Sequence, residues 1–290
     1  MADSDTALNT YRYLRGGIPV MLVMLGAALI IERARASDWL GSISAYYFTG
    51  AHAVFIGSIC AMGALLIVYK GLTPTEDVLL NLAGILAFVV AFVPTSRPET
   101  AVSVDVSNVN VLSNVWALVI ALVVARAVSW LMYRRTGTTP ELGRIARVAL
   151  WVQRALLAAG LALLIFACDW FVSHAHGIAA VVLFLAIIAT VVITAFMADT
   201  GVVDSANPKV YQQIYRIIAV LMLVTLLVAV TVHFMIHGVS QLVLWAEVVL
   251  LAEFGVYWGV QTAERWGSRS DRAAPPPKCT VQQQKILDAL

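Results

Sequence analysis

The chain has 290 residues, of which 61% are hydrophobic and only 12% charged, with a formal net charge of +2 and a mean hydropathy of +0.86. Soluble proteins carry about 25% charged residues, so this composition excludes a soluble globular protein and predicts an all-α integral membrane protein. Nucleic acid is excluded as a partner, because its binding sites combine a basic patch with interleaved aromatic side chains and the basic residues here are few and scattered. The predicted partner is the lipid bilayer.

Eight segments are apolar over roughly the 20 residues that a helix needs to cross a bilayer. They are residues 13–31, 51–69, 78–95, 109–133, 148–167, 174–197, 213–236 and 239–262. Hydrocarbon offers no partner to a free backbone N–H or C=O, so each segment is predicted to be a helix. We therefore predict a transmembrane helical bundle over residues 1–266, followed by a disordered cytoplasmic tail over residues 267–290, which is polar and contains three consecutive prolines.

The first span has features of a signal peptide. Arg12 and Arg15 precede its apolar run, and the triplet 34–36 imitates an Ala-x-Ala cleavage site. Charged residues crowd that site and seven apolar segments follow, so the sequence favours a retained membrane helix over a cleaved leader.

The distribution of Lys and Arg predicts the orientation of the bundle. With eight spans, fifteen of the nineteen basic residues fall on one side, and Arg33, Arg35 and Arg97 fall on the other. Basic residues concentrate on the cytoplasmic side of membrane proteins. Both termini are therefore predicted to be cytoplasmic, in a multi-pass protein of the inner cell membrane.

All five histidines then map to the outer ends of helices. They are His52, His174, His176, His233 and His237. His233 and His237 are four residues apart and share a helix face, so with Asp169 or His174 they would supply the three or four ligands of a zinc site. Haem is the alternative cofactor, with His52 and His176 as axial ligands between helices. The remaining alternative is that these amphipathic side chains only mark the membrane boundary.

Two carboxylates lie within the eighth span, where charge is costly and usually faces a cavity or the bundle interior. Glu253 lies at a depth similar to that of Arg126 in the fourth span, which predicts an intramembrane ion pair, unless Arg126 extends to the membrane boundary. Glu247 has no cation at its depth, so it is either protonated or directed toward the outer histidines. This makes Glu247 the strongest single candidate for a functional residue.

Several stretches resemble those of uncharacterised bacterial multi-spanning membrane proteins, of the domain-of-unknown-function type. They are SISAYYFTGAHAVFIG, YKGLTPTED, NLAGILAFVVAFVPT, HGIAAVVLF, E-x6-FGVYW and QTAE. The resemblance covers the second, third, sixth and eighth spans, and implies that the recurrent polar positions are Ser42, Ser44, Tyr46, Tyr47, His176 and Glu247. It departs from the pattern at His52 and Ala53, where a charged pair is usual. A fainter similarity, of His233 to His237, is to the H-x3-H of alkaline ceramidase-like seven-span hydrolases, whose early serine and histidine have no counterpart here.

The leading functional hypothesis is a polar pocket on the outer side of the membrane that binds a lipid headgroup, a small solute or a cation. It would be formed by the loop of residues 40–50, His176 and Glu247, and a glutamate below a histidine would also suit transport or proton passage. The alternatives are a zinc-dependent hydrolase of lipid-like substrates and a haem-binding redox protein.

Overall fold

The computed structural model describes residues 2–36, 38–95, 108–137, 142–199, 207–235 and 240–266. Over these residues the chain forms eight α-helices and one short 3-10 helix, without a strand. The α-helices are α1 (Ala2–Arg35), α2 (His52–Val68), α3 (Pro74–Phe92), α4 (Asn108–Thr136), α5 (Arg144–Phe166), α6 (Cys168–Asp199), α7 (Pro208–Met235) and α8 (Ser240–Trp266). Each predicted span falls on one of them, which confirms the all-helical fold. Seven are long and apolar enough to cross a membrane, whereas α2 has only 17 residues.

One end of the bundle, here called the Arg15 end, brings together helix termini that are far apart in the chain. Arg15, at the start of the apolar part of α1 (Arg12–Arg35), donates a hydrogen bond to Tyr69, which directly follows α2. Glu76 in the first turn of α3 accepts one from Thr194 near the end of α6. Since a helix start meets a helix end in each case, these helices run antiparallel to one another.

The opposite end, here called the His176 end, shows the complementary set of termini. His176 near the start of α6 contacts Val93, which directly follows α3, and Glu247 near the start of α8 contacts Ile43, which lies between α1 and α2. α6 occupies the middle of the bundle, where it packs against α3 and α7, and α8 packs against α7 and α1. α4 and α5 lie at the periphery and expose long apolar faces, as lipid-facing helices do.

The segment between α1 and α2 is buried, which a loop of hydroxyl-bearing residues would not suggest. Residues 43–49 all have side chains in the protein interior, and Ser44–Phe48 form the 3-10 helix. Thr49 satisfies part of this backbone, since its hydroxyl donates to the carbonyl of Tyr46 and accepts from the N–H of Ala51. The buried segment therefore continues the short helix α2 toward the His176 end.

The gap of residues 168–173 between the predicted fifth and sixth spans is not present in the structure. α6 begins at Cys168, and Ala167 alone separates it from α5. Phe171 lies in the first turn and is buried against Val93 and Leu164, so the apolar contact that continues the helix begins six residues earlier than the predicted span. Asp169 adds a negative charge to the first turn, where the helix dipole favours one. The predicted tail, 267–290, lies outside the described residues.

Candidate functional site

The centre of the candidate site is a hydrogen bond between Ser44 and His176. His176 Nε2 lies 2.8 Å from Ser44 Oγ, and His176 Nδ1 lies 2.6 Å from the backbone oxygen of Val93. A carbonyl oxygen only accepts, so Nδ1 carries the hydrogen, and in the neutral ring Nε2 must then accept the hydroxyl hydrogen of Ser44. Both residues are only 8% exposed. The histidine is therefore fixed in one tautomer and directed at one hydroxyl.

Glu247, on α8, meets the same short segment. Its Oε2 accepts a hydrogen bond of 2.6 Å from the backbone N–H of Ile43, the residue that precedes the 3-10 helix. Helix starts leave backbone N–H groups without an internal partner, and a carboxylate is a strong acceptor for them. Ser44, His176 and Glu247, which are predicted as pocket residues, are thus brought together at the segment 43–44.

A cavity of about 90 Å³ opens beside these polar groups. Apolar side chains of α1, α2, α3, α6 and α8 line it, and the polar residues among its described lining are Ser44 and Glu247. Phe254 lines the cavity seven residues after Glu247, which places the far wall about 10 Å along α8. The cavity thus has a polar end at Ser44 and Glu247 and an apolar interior, whereas the sequence predicted a polar pocket.

The other predicted pocket residues support the segment rather than line the cavity. Ser42 Oγ accepts from the backbone N–H of Ala45. Tyr47 packs edge-on against His52 and Phe55, and its carbonyl oxygen accepts from His52 Nδ1. Tyr46 is 1% exposed. Burial raises the pKa of the Tyr46 and Tyr47 phenols, so both remain neutral.

The structure does not bring the predicted ion pair together. Arg126 is exposed on α4, which packs against α3 and α6, whereas Glu253 lies on α8. Glu253 is half-buried, and its Oε1 accepts a hydrogen bond of 3.0 Å from Thr225 on α7. Extension of Arg126 toward the membrane boundary stays the alternative interpretation of its place in the span.

The predicted zinc ligands are only partly described. His237 lies outside the described residues, and the side chain of His233 is not described either. Asp169 and His174 are exposed on α6, where His174 stacks on Trp170 and its Nδ1 contacts the carbonyl oxygen of the same residue. Among the residues whose positions are described, no group of three His, Cys, Asp or Glu side chains is arranged to hold a metal ion.

The predicted haem ligands are engaged with the protein itself. Both ring nitrogens of His176 are hydrogen-bonded, and Nδ1 of His52 is bonded to the carbonyl oxygen of Tyr47. Coordination of iron by Nε2 of His176 would break its bond to Ser44.

A second polar cluster, at the Arg15 end, was missed by the sequence analysis. Arg15 is 2% exposed and donates to Tyr69, Gln261 and Thr262. Its guanidinium also lies 5.8 Å from the ring centre of Trp258, whose Nε1 donates to the Arg15 carbonyl oxygen. The cluster therefore connects the start of the apolar part of α1 to the end of α8.

Two buried carboxylates extend this cluster across the bundle. Glu76 accepts from the Thr194 hydroxyl and from the backbone N–H of Leu72, and Glu264 accepts from the Tyr215 hydroxyl. Both lie in stretches that the family resemblance covers. They were not predicted as buried, because charged residues near span ends usually face water. The signal available in the sequence was Thr73-Pro-Thr-Glu76, a helix-start pattern that fixes the threonine and the glutamate at the first turn of α3.

No family model, curated protein or solved structure matches the chain. The resemblance to bacterial multi-spanning membrane proteins therefore stays a prediction, and the function must be argued from the geometry of the site.

Proposed function

We propose that the chain is a membrane protein that crosses the bilayer eight times, with both termini in the cytoplasm, and binds a small amphipathic, lipid-like molecule in the cavity at its outer side. The observation that carries the proposal is the asymmetry of the cavity. Its interior is apolar, while Ser44 and Glu247 form a polar end.

The chemistry of the cavity defines the class of ligand. A volume of about 90 Å³ holds about six to nine water- or methylene-sized groups, since one such group needs roughly 10–15 Å³. An apolar chain of that size would displace no well-bonded water from these walls, and so gains the free energy of burial. Its polar end would meet the Glu247 carboxylate, which accepts hydrogen bonds but donates none when ionised. The favoured ligand therefore ends in a hydroxyl or an amine.

Photolabelling tests whether an apolar chain enters the cavity. The probe is a medium-chain primary alcohol that carries a diazirine near its tail, added to the purified protein in detergent and to native membranes. We expect adducts on Leu251 and Phe254, mapped by mass spectrometry, and competition by the unlabelled alcohol. Ala180→Leu fills the lining from α6 and should abolish these adducts, whereas Ala64→Leu, on an exposed face of α2, should leave them unchanged.

The polar end is tested by replacing the carboxyl group of Glu247 with an amide. A buried donor or acceptor that loses its partner costs about 1–3 kcal/mol, so Glu247→Gln should raise the half-saturating alcohol concentration about tenfold. Glu253→Gln is the matched control, because it makes the same change on the same helix beside Thr225. Adducts spread over the exposed faces of α4 and α5, with none in the cavity, would contradict the proposal.

A further inference from the structure

We propose that Ser44 and His176 form a catalytic pair that transfers the acyl group of a lipid-like ester to water through an acyl-serine intermediate. This rests on the proposed function, since the cavity is where the acyl chain would lie. The inference starts from the direction of the hydrogen bond, in which Ser44 gives its hydroxyl hydrogen to His176 Nε2 at 2.8 Å.

The pair has the arrangement that nucleophilic catalysis by serine requires. A serine hydroxyl is a weak nucleophile unless an adjacent base, held in the correct tautomer by a third group, takes its proton. Here the base is His176 and the third group is the carbonyl oxygen of Val93, which accepts from Nδ1 at 2.6 Å. As the ring becomes positively charged, the dipole of this carbonyl stabilises the charge.

The placement of the pair also suits an ester with an apolar acyl chain. Ser44 lines the polar end of the cavity, so a chain that lies among Leu251 and Phe254 would present its carbonyl carbon at that end, beside Ser44. The buried position of both residues limits the access of bulk water. A water-poor site strengthens the electrostatic interactions that stabilise a charged transition state.

The reaction balances without a metal or a redox partner. Ser44 Oγ forms a bond to the ester carbonyl carbon while its proton passes to His176 Nε2. The tetrahedral intermediate collapses, the carbon–oxygen bond to the alcohol breaks, and the alcohol leaves with the proton from Nε2. A water molecule then attacks the acyl-serine and gives a proton to Nε2, and the proton returns to Ser44 Oγ as the carboxylic acid is released.

A fluorophosphonate with a short alkyl chain tests the pair, because such reagents form a stable bond to an activated serine. Wild-type protein in detergent is treated with the reagent and digested, and the modified residue is identified by mass spectrometry. We expect one adduct, on Ser44. His176→Gln should slow its formation roughly 100-fold or more, since a general base contributes about 10²- to 10⁴-fold. Ser58→Ala is the control for a buried serine, since Ser58 is 0% exposed on α2 and does not line the cavity.

The outcome is independent of whether the variants fold, because the first measurement uses the wild-type chain. Folded wild-type protein without an adduct on Ser44 would overturn the proposal, and so would an adduct whose rate is unchanged in folded His176→Gln. Alcohol photolabelling in the cavity without a Ser44 adduct would leave the binding function standing and reject the catalysis. A Ser44 adduct without photolabelling would reject the cavity as the binding site.

Discussion

Thr194 connects three groups within the buried cluster at the Arg15 end. Its hydroxyl oxygen lies 3.0 Å from Glu76 Oε1, 3.0 Å from the carbonyl oxygen of Thr190 and 3.1 Å from the hydroxyl of Tyr257. A threonine hydroxyl has one hydrogen to donate. It is therefore shared between acceptors, and the carboxylate of Glu76, which is 1% exposed, depends on it for part of its solvation.

Thr194→Val tests this dependence, because valine keeps the shape of threonine and removes only the hydroxyl. A buried acceptor that loses a partner costs about 1–3 kcal/mol, so the variant should have a lower Tm in detergent than wild type. Thr225→Val is the control, since its partner Glu253 is only half-buried. Equal Tm values for the two variants would show that Glu76 does not need this donor.

Two of the residues singled out from the sequence have chemistry that is unusual for their place in a span. Glu247 is a carboxylate deep in a span, and His176 is a histidine that begins one, and the structure places both beside Ser44. Arg15 and Glu76 were missed because charges near span ends are common and usually face water. Which of them turns inward depends on partners from distant helices, and these partners cannot be read from one stretch of sequence.

At the scale of the helices, α2 and α3 approach each other closely where two glycines meet. A methyl group added at Gly84 would lie 2.5 Å from the carbonyl oxygen of Gly63 and 2.6 Å from Ile67 Cγ1. One added at Gly63 would lie 2.8 Å from the carbonyl oxygen of Gly84. Small residues at helix crossings allow backbones to pack together within a membrane, and here the obstacle to a larger residue is backbone on both sides.

Gly84→Ala should therefore separate α2 from α3 and lower the Tm. The matched change is Gly57→Ala on α2, at a position where an added methyl group meets nothing within 4 Å. There alanine should raise stability by about 0.5–1 kcal/mol, because glycine is the poorer helix former. The opposite signs of the two shifts in Tm, measured side by side, check the crossing. A Gly84→Ala protein as stable as Gly57→Ala would contradict it.

The helices themselves were predictable from apolar length, but their ends were not. α6 begins six residues before the predicted span, since Phe171 packs into the core near Val93. The buried segment 43–49 was predicted as part of a hydroxyl-rich outer loop, residues 40–50, that contributes to a polar pocket. Its hydroxyls instead bond to the chain, as Thr49 does with Tyr46 and Ala51. The aromatic side chains of the segment are buried in the protein interior.

At the scale of the whole molecule, the first and last described helices are neighbours. α1 packs against α8, and Arg15 fixes this contact through Gln261, Thr262 and Trp258. Three directional bonds and an aromatic face suit the planar guanidinium, which lysine does not reproduce. The Arg15 cluster thus holds the bundle at one end, while Ser44, His176 and Glu247 join its elements at the other.

The proposed eight crossings require that these two ends lie on opposite sides of the membrane. In a chain whose three cysteines are replaced by alanine, single cysteines at four exposed positions report the side that each position faces. Asp38→Cys and Asp169→Cys lie at the His176 end. Lys70→Cys lies at the Arg15 end, and Arg135→Cys lies at the end of α4 that the alternating direction of the helices places on the same side of the membrane. In intact cells, a membrane-impermeant maleimide should label the first two, and label the second two only after lysis.

The reagent also decides whether the 17-residue helix α2 crosses the membrane. Asp38 precedes it and Lys70 follows it, so opposite labelling of these two positions requires that the buried segment 43–49 and α2 together span the bilayer. The predicted orientation of the bundle follows from the basic residues, which favour the cytoplasmic side. Labelling of Lys70→Cys but not Asp38→Cys in intact cells would invert this orientation and place the polar end of the cavity on the cytoplasmic side. Labelling of both would show that α2 does not cross.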